Sequence, residues 1–233
     1  MAYKKVSIYG VGEVLIAKRR GTKNLRLSVN ASGQVRVGIP YWAPYRAAYP
    51  FIKSREDWIK SQLVNRPKTY FKSHQKVGKS HTLYIYTLQK RDKRTQITDS
   101  EIRVWSTLTQ DSEKLRPKIK KACEKALLLQ SEKLLLPRLH VLSLKYNLPY
   151  KDAKVKKLSS RWGSCSSDKK IILSYFLVQL PWPLIDYVLL HELTHTKHLY
   201  HGPNFWSAMR KMPINVPDLR TEIKKYRPVI ETL

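Results

Sequence analysis

Hydrophobic and polar residues alternate along the first forty positions, and this period of two is typical of β-strands. Three short strands are expected within VGEVLIAKRR (11–20), LRLSVN (25–30) and GQVRVGIP (33–40). Arg-Arg-Gly-Thr and Asn-Ala-Ser-Gly lie between them and supply residues that tight turns require. The chain therefore opens with a small β-rich unit, which Pro40 and Pro44 close.

The spacing then changes to that of a helix. Pro50 is expected to mark a break, and Ser54 has the chemistry of an N-cap for the helix that follows. That helix is expected to place four apolar side chains on one face: Trp58, Ile59, Leu63 and Val64.

Residues 66–80 are polar and basic, so they are expected to form a linker. Two further strands are predicted in HTLYIYTLQ (81–89) and EIRVWSTL (101–108), and a long helix from about 111 to 146, which Pro137 should kink or split. These boundaries predict a β-rich N-terminal region with one helix, residues 1–110, and a second region, residues 111–233.

In the second region, a strand is predicted near 153–158, then the polar loop SSRWGSCSSDKK, then a strand near IILSYFL. The two strands are expected to form a hairpin with a long loop. The next helix should begin at Pro181 and Pro183 and end at Gly202-Pro203, with shorter helices in NFWSAMRKM and LRTEIKKY. Strands and helices in this order indicate an α+β fold.

The most apolar run, IILSYFLVQLPWPLIDYVLL (171–190), has the length of a membrane span. Because two prolines and Asp186 interrupt it, we interpret it as two buried elements joined by a turn. The first twenty residues lack the apolar core of a signal peptide. The two cysteines, Cys123 and Cys165, do not indicate a disulfide framework, so a cytoplasmic location without a membrane partner is expected.

The charge of the chain is extreme. Its 233 residues include 45 Lys and Arg against 17 Asp and Glu, which gives a net charge of +28. Such a protein attracts polyanions, and non-specific affinity for nucleic acid is one expectation, although solubility alone is an alternative explanation. The sequence contains no recognised nucleic-acid-binding motif, so the expected affinity is electrostatic and does not depend on base sequence.

Four of the seven histidines fall in HELTHTKHLYHG, residues 191–202. His191 and His195 are four residues apart, so on a helix both imidazoles lie on one face and can reach one metal ion. Glu192 lies about 100° further round the helix, where it can act on a water bound to that ion. This H-E-x-x-H arrangement follows the apolar segment YVLL, as a buried metal-binding helix requires.

The third ligand has three candidates. His198 lies about 10 Å along the helix axis from His191, which is too far for both to bind one small ion. His201 can return toward the ion if the chain turns between Leu199 and Gly202. Glu222 is a carboxylate alternative further along the chain. We favour His201 and expect His198 to lie at the surface or behind a ligand.

Three segments together resemble a known family: SRWGSCS (160–166), IDYVLLHELTH (185–195) and HGPNFW (201–206). They look like those of the YgjP-like metal-dependent hydrolases, a zincin group of metallopeptidases. The resemblance is specific over about 155–210 and looser over the β-rich N-terminal part. It implies a zincin-like fold in which His191, His195 and His201 hold zinc and Glu192 is the acid/base, in agreement with the spacing.

The segment around Arg-Trp-Gly-Ser-Cys adds candidate contacts to this site. Arg161 has a guanidinium that can bind an anionic group of a substrate. Gly163 permits a tight bend or a close approach of backbone. Cys165 is expected to be a small buried residue rather than a nucleophile or a ligand.

These features favour a zinc-dependent metallopeptidase that acts on a peptide or protein. Two alternatives stay open: a metal-dependent hydrolase of nucleotides or other phosphate anhydrides, which the charge and Arg161 suit, and a basic protein that acts on proteins bound to nucleic acid. Zinc is the expected ion, although three imidazoles also suit other divalent metals.

Overall fold

The computed structural model describes residues 3–29, 33–64, 71–89 and 94–230, and it divides the chain into two compact units, 1–68 and 69–233. Strands and helices mix in both, which confirms the α+β class. The predicted boundary between residues 110 and 111 falls inside the second unit. The reason is that the strands before residue 110 share a hydrophobic core with the helix that follows them.

The first unit is built on a four-stranded sheet whose order is β1-β2-β4-β3. The strands β1 (Tyr3–Ile8), β2 (Gly12–Arg19), β3 (Arg26–Val29) and β4 (Val35–Pro40) include the three predicted from alternation. Alternation did not reveal β1, whose side chains are mostly exposed on both faces. The strands β2 and β4 are neighbours that pair in parallel, and their inward side chains form one apolar layer.

Two short helices, α1 (Ala48–Lys53) and α2 (Glu56–Val64), follow the sheet. The predicted break at Pro50 was wrong, since Pro50 lies inside α1, within the first turn where a missing N–H costs nothing. Ser54 ends α1 instead of starting a helix. Ile59 is buried as predicted, but Trp58 is 41% exposed, so the predicted apolar face was wrong at that position.

The second unit begins with another four-stranded sheet, of order β5-β6-β8-β7. Its strands are β5 (Gln75–Val77), β6 (His81–Thr87), β7 (Thr95–Ile97) and β8 (Glu101–Ser106). Two of them were predicted, whereas β5 lies in the segment assigned to a linker. Part of that predicted linker, residues 66–70, is outside the described residues.

One long helix, α3 (Arg116–Lys145), continues through Pro137, so the proline does not split it. Its first half packs on the β5–β8 sheet through side chains such as Ile119 and Leu127. Its second half packs on the helix that carries His191 through Leu135 and Leu139. This helix therefore joins the two hydrophobic clusters of the second unit.

The third sheet has the order β10-β11-β9, with β9 (Asp152–Lys156), β10 (Gly163–Cys165) and β11 (Lys170–Ser174). The predicted hairpin was wrong, because β9 and β11 pair in parallel and β10 is the antiparallel partner of β11. The connection of residues 157–169 is long enough for a parallel crossover. The loop thus contributes a strand of its own.

Three helices complete the unit: α4 (Trp182–Thr194), α5 (Pro203–Arg210) and α6 (Val216–Glu222). The apolar run at 171–190 forms β11, a 3₁₀ turn and most of α4, as the two-element interpretation predicted. Within the described ranges, no helix combines the length and hydrophobicity needed to cross a bilayer.

We predict that Gln130→Leu lowers the free energy of unfolding by about 2–3 kcal/mol, because its amide serves three backbone groups. Gln130 is buried in α3. Its Oε1 accepts from the backbone N–H of Lys79 at 2.7 Å and of Ser80 at 3.0 Å, and its Nε2 donates to the carbonyl of Val77. Urea denaturation would measure the loss.

The matched control is Lys133→Ala, one turn away on the same helix, which removes an exposed ion pair with Asp99. This change should cost less than about 1 kcal/mol. Equal losses for the two variants would show that the buried amide does not fix the β5–β6 turn.

Candidate metal centre

The first two histidines of the motif are positioned by α4, which is buried along most of its length. Pro181 is its N-cap residue and Pro183 lies in its first turn, as predicted. Its apolar side chains pack against α3, β11 and α5. Because these contacts fix the rotation of the helix, His191 is held on the side that faces α5, and His195 follows at the first position after the helix.

The chain leaves the helix earlier than predicted. α4 ends at Thr194, and the backbone N–H of His198 bonds the carbonyl of Thr194 at 3.0 Å. Gly202 and Pro203 were predicted to stop this helix, but they begin α5 instead, with Gly202 as N-cap and Pro203 in the first turn. The five residues 196–200 form the turn that returns His201 to the helix.

The three imidazoles converge through their Nε2 atoms. His201 Nε2 lies 2.9 Å from His191 Nε2 and 3.1 Å from His195 Nε2. Candidate ligand atoms of all three residues lie within 4.8 Å of one another. His191, His195 and His201 are the set that the spacing predicted, and the geometry brings them together.

The other ring nitrogens differ in their surroundings. His195 Nδ1 lies 3.0 Å from the carbonyl oxygen of His198, which can only accept, so Nδ1 carries the proton and Nε2 presents a lone pair. His191 Nδ1 is buried and has no hydrogen-bond partner among the described residues. The backbone of His198, not its imidazole, thus supports the site.

Aromatic side chains of α5 surround the histidine cluster. The Phe205 ring lies 4.6–4.9 Å from each of the three imidazole centroids and is fully buried. Trp206 stacks on His201 at 5.8 Å, and the Arg220 guanidinium lies 4.4 Å from the Trp206 centroid. The sequence analysis missed Phe205 and Arg220. The sequence did contain a signal for Phe205, which is an aromatic residue four positions after His201.

The pKa of His191 is lowered to about 3, mainly by burial and in smaller part by the neighbouring His195, His201 and Arg220. Burial also lowers the pKa of His195. Both imidazoles are therefore neutral at physiological pH and offer lone pairs to a cation.

The carboxyl group of Glu192 is buried against β10. Burial raises its pKa to about 8, and the charge of Arg161 opposes this rise. A Cβ atom on Gly163 would lie 2.7 Å from Glu192 Cγ and 2.8 Å from its Oε1. Gly163 thus allows the close approach of backbone that the sequence suggested, and the strand packs directly on the glutamate side chain.

The remaining candidates lie outside the cluster. Glu222 does not lie with the three histidines, and its carboxylate accepts a hydrogen bond from Lys225 at 2.5 Å. Cys165 is half-buried, and burial together with Glu192 raises its thiol pKa to about 11, which leaves it protonated. Arg161 is exposed beside β10. Of the other histidines, His81 is buried and bonds the carbonyl of Thr98.

The residues of the cluster fit a divalent cation. Two nitrogens that each lie about 2.0–2.1 Å from one tetrahedral ion are about 3.3 Å apart, close to the separations observed here. Converging lone pairs repel one another unless a cation lies between them. His201 is exposed, so one side of the cluster is open to solvent and to a substrate.

Comparison with known proteins gives a family match. The sequence profile of the YgjP-like metallopeptidase domain matches residues 23–226, which confirms the resemblance seen in the three motifs. No curated protein matches the chain significantly. The crystal structure of the metallopeptidase zymogen of Pyrococcus abyssi abylysin aligns at 19% identity and a TM-score of 0.36, over 40% of this chain and 93% of that one. A likeness of that size carries no argument about chemistry.

We predict that Gly163→Ala lowers the free energy of unfolding by about 1–3 kcal/mol, because its methyl group would overlap the buried Glu192 side chain. The matched control is Gly202→Ala, where no atom lies within 4 Å of the added Cβ; it should cost less than about 1 kcal/mol, the loss expected from alanine at the N-cap of α5. Urea denaturation would compare them. Equal effects would contradict the close packing of β10 on Glu192.

Proposed function

This chain belongs to the YgjP-like metallopeptidase family, and from that membership and the geometry of the cluster we propose that it is a zinc-dependent peptidase. The observation that carries the proposal is the convergence of three Nε2 atoms at the end of a helix that also carries the buried Glu192. His191, His195 and His201 would hold the ion, and Glu192 would be the acid/base.

Three histidine ligands that leave one side open are typical of catalytic rather than structural zinc. When bound, such an ion lowers the pKa of water and polarises a carbonyl oxygen. The protein would keep His191 and His195 neutral through burial, and it would orient His195 through the carbonyl of His198.

Glu192 would move the proton in this reaction. As a carboxylate it accepts a proton from the attacking water and then delivers it to the amine that leaves. Its burial against β10 holds it in one place and limits competition from bulk water, and Arg161 favours its charged form. With Arg161 present the pKa of Glu192 is still about 8, so its carboxylate form would also depend on the positive charge of the ion held by the histidines.

The substrate would be an extended peptide. β10 is the terminal strand in the order β10-β11-β9, and its backbone lies against Glu192. An extended segment can add to such an edge through main-chain hydrogen bonds, which would align a peptide bond beside the histidines. This placement supports a peptidase over other hydrolases.

A second candidate is hydrolysis of nucleotides or other phosphate anhydrides. Two cations support it: Arg161 acts electrostatically on Glu192, and Arg220 acts on His191. Guanidinium groups near a metal centre suit a phosphate chain. A cytoplasmic location, expected from the sequence, stays a prediction.

We predict that Glu192→Gln keeps the metal and lowers turnover by about 10²–10⁴-fold, since an amide cannot accept the proton. Zinc content and the cleavage of unfolded casein would be measured together, alongside phosphate release from nucleoside triphosphates. Glu222→Gln is the control, because that carboxylate pairs with Lys225 outside the cluster. Full activity in Glu192→Gln would overturn the proposed base, and phosphate release without peptide cleavage would favour the second candidate.

We also predict that His201→Ala weakens zinc binding by at least about 100-fold, whereas His198→Ala changes it by less than about tenfold. Only the backbone carbonyl of His198 contacts the site, and alanine keeps that carbonyl. Competition with a chromogenic chelator would measure both affinities. If both variants held zinc equally well, His201 would not be the third ligand.

A further inference from the structure

The solvent face of the β5–β8 sheet has an aromatic strip that the metal centre does not use. Along β6 and β8 alternate side chains such as Leu83, Ile102 and Val104 are fully buried against α3. The residues between them point to the other face, where Tyr86 pairs in register with Trp105. The inward face therefore supplies the core, and the outward face can serve another purpose.

Three rings on this face lie nearly parallel. Tyr84 and Tyr86 are 6.4 Å apart between centroids with an interplanar angle of 15°, and Tyr86 and Trp105 are 5.4 Å apart at 18°. At these separations the rings are offset rather than fully overlapped. Tyr86 is 40% exposed, so part of its surface is available to a ligand. We call Tyr84, Tyr86 and Trp105 the aromatic strip.

Other side chains extend the strip at both ends. The His74 ring meets Tyr84 edge-on at 5.1 Å, and the Arg94 guanidinium lies 5.0 Å from the Trp105 centroid. Lys118 Nζ donates to the carbonyls of Arg94 and Trp105, which places a second cation beside that end. The strip is thus a row of π-systems with positive charge beside it.

The charges on this face favour an anionic partner. Lys76 and Arg103 occupy outward positions of β5 and β8. Among the outward positions described for β5 to β8, Glu101 is the one acidic residue. It forms an ion pair with Arg103 at 2.5 Å, so these two side chains together carry no net charge and Lys76 adds a positive one. The chain as a whole has a net charge of +28. A partner should therefore combine flat rings with negative charge.

We propose that the aromatic strip is a binding site for single-stranded nucleic acid. Two or three bases would stack on the rings of Tyr84, Tyr86 and Trp105, and the phosphates would lie along the flanking cations, as on other sheet surfaces that bind single strands. A duplex keeps its bases stacked on one another, so it cannot use the strip. An acidic peptide would satisfy the cations but would leave the rings without partners.

The test measures binding of short fluorescein-labelled oligothymidine and oligouridine by fluorescence anisotropy, at about 0.15 M salt. Tyr86→Ala should weaken binding of both strands by at least about fivefold, because it removes one stacking partner. Tyr86→Phe, which keeps the ring, should change affinity by less than about twofold.

An abasic oligomer of the same length separates stacking from charge. It keeps the phosphates and lacks the bases, so the wild type should bind it at least about fivefold more weakly, and Tyr86→Ala should not weaken it further. The matched control is Trp182→Ala, which removes another aromatic residue, 41% exposed, with Lys79 over its ring. This control should bind both oligomers as the wild type does.

Three results would overturn the proposal: equal affinity for the base-bearing and abasic strands, tighter binding of duplex than of single strand, or polyglutamate binding that Tyr86→Ala weakens as strongly. Far-ultraviolet circular dichroism and the zinc content of each variant would show that it is folded. Because Tyr86 lies outside the histidine cluster, casein cleavage should not change in Tyr86→Ala. Failure of this proposal and failure of the proposed peptidase are therefore distinguishable.

Discussion

The burial of α4 is the constraint on which the metal centre depends. Leu184, Ile185 and Leu189 are almost completely buried, so the helix cannot rotate without exposing a core. On its outer side, Asp186 accepts two hydrogen bonds from Arg138 of α3, at 2.6 and 2.8 Å. A helix fixed in this way holds the imidazoles of His191 and His195 in a fixed orientation. Preorganisation of this kind is what a metal site needs, because the ligands do not have to be ordered when the ion binds.

The burial of α4 also explains why the sequence predicted this helix and the positions of His191 and His195 on it. The spacing of His191 and His195, the apolar lead-in and the prolines before the helix are all local signals, and local signals determine a helix. The third histidine, His201, lies in the cluster with His191 and His195, but the chain reaches it by another route than the spacing suggested. The helix ends at Thr194, several residues before the turn that was expected between Leu199 and Gly202. His201 then packs on Phe205, a contact that the spacing of the histidines alone does not show.

Strand pairing shows the opposite case. The strands near 153 and 171 were expected to form a hairpin, since neighbouring strands usually pair in that way. Instead β9 and β11 pair in parallel, and the other edge of β11 pairs with β10, whose three residues lie in a loop with no alternation of polarity. Gly163 at the start of β10 is explained by Glu192, far along the chain. Pairings that are settled by such distant contacts leave no periodic trace in the sequence.

The turn of residues 196–200 has a consequence for folding. His191 lies in α4, His195 directly follows that helix and His201 lies just before α5, so an ion held by all three would link the two helices across the turn. Because such an ion would bind the folded chain and not the unfolded chain, its binding free energy adds to the free energy of unfolding, and metal affinity becomes part of folding stability. Removal of the ion would therefore lower the thermal stability of the protein as well as its activity.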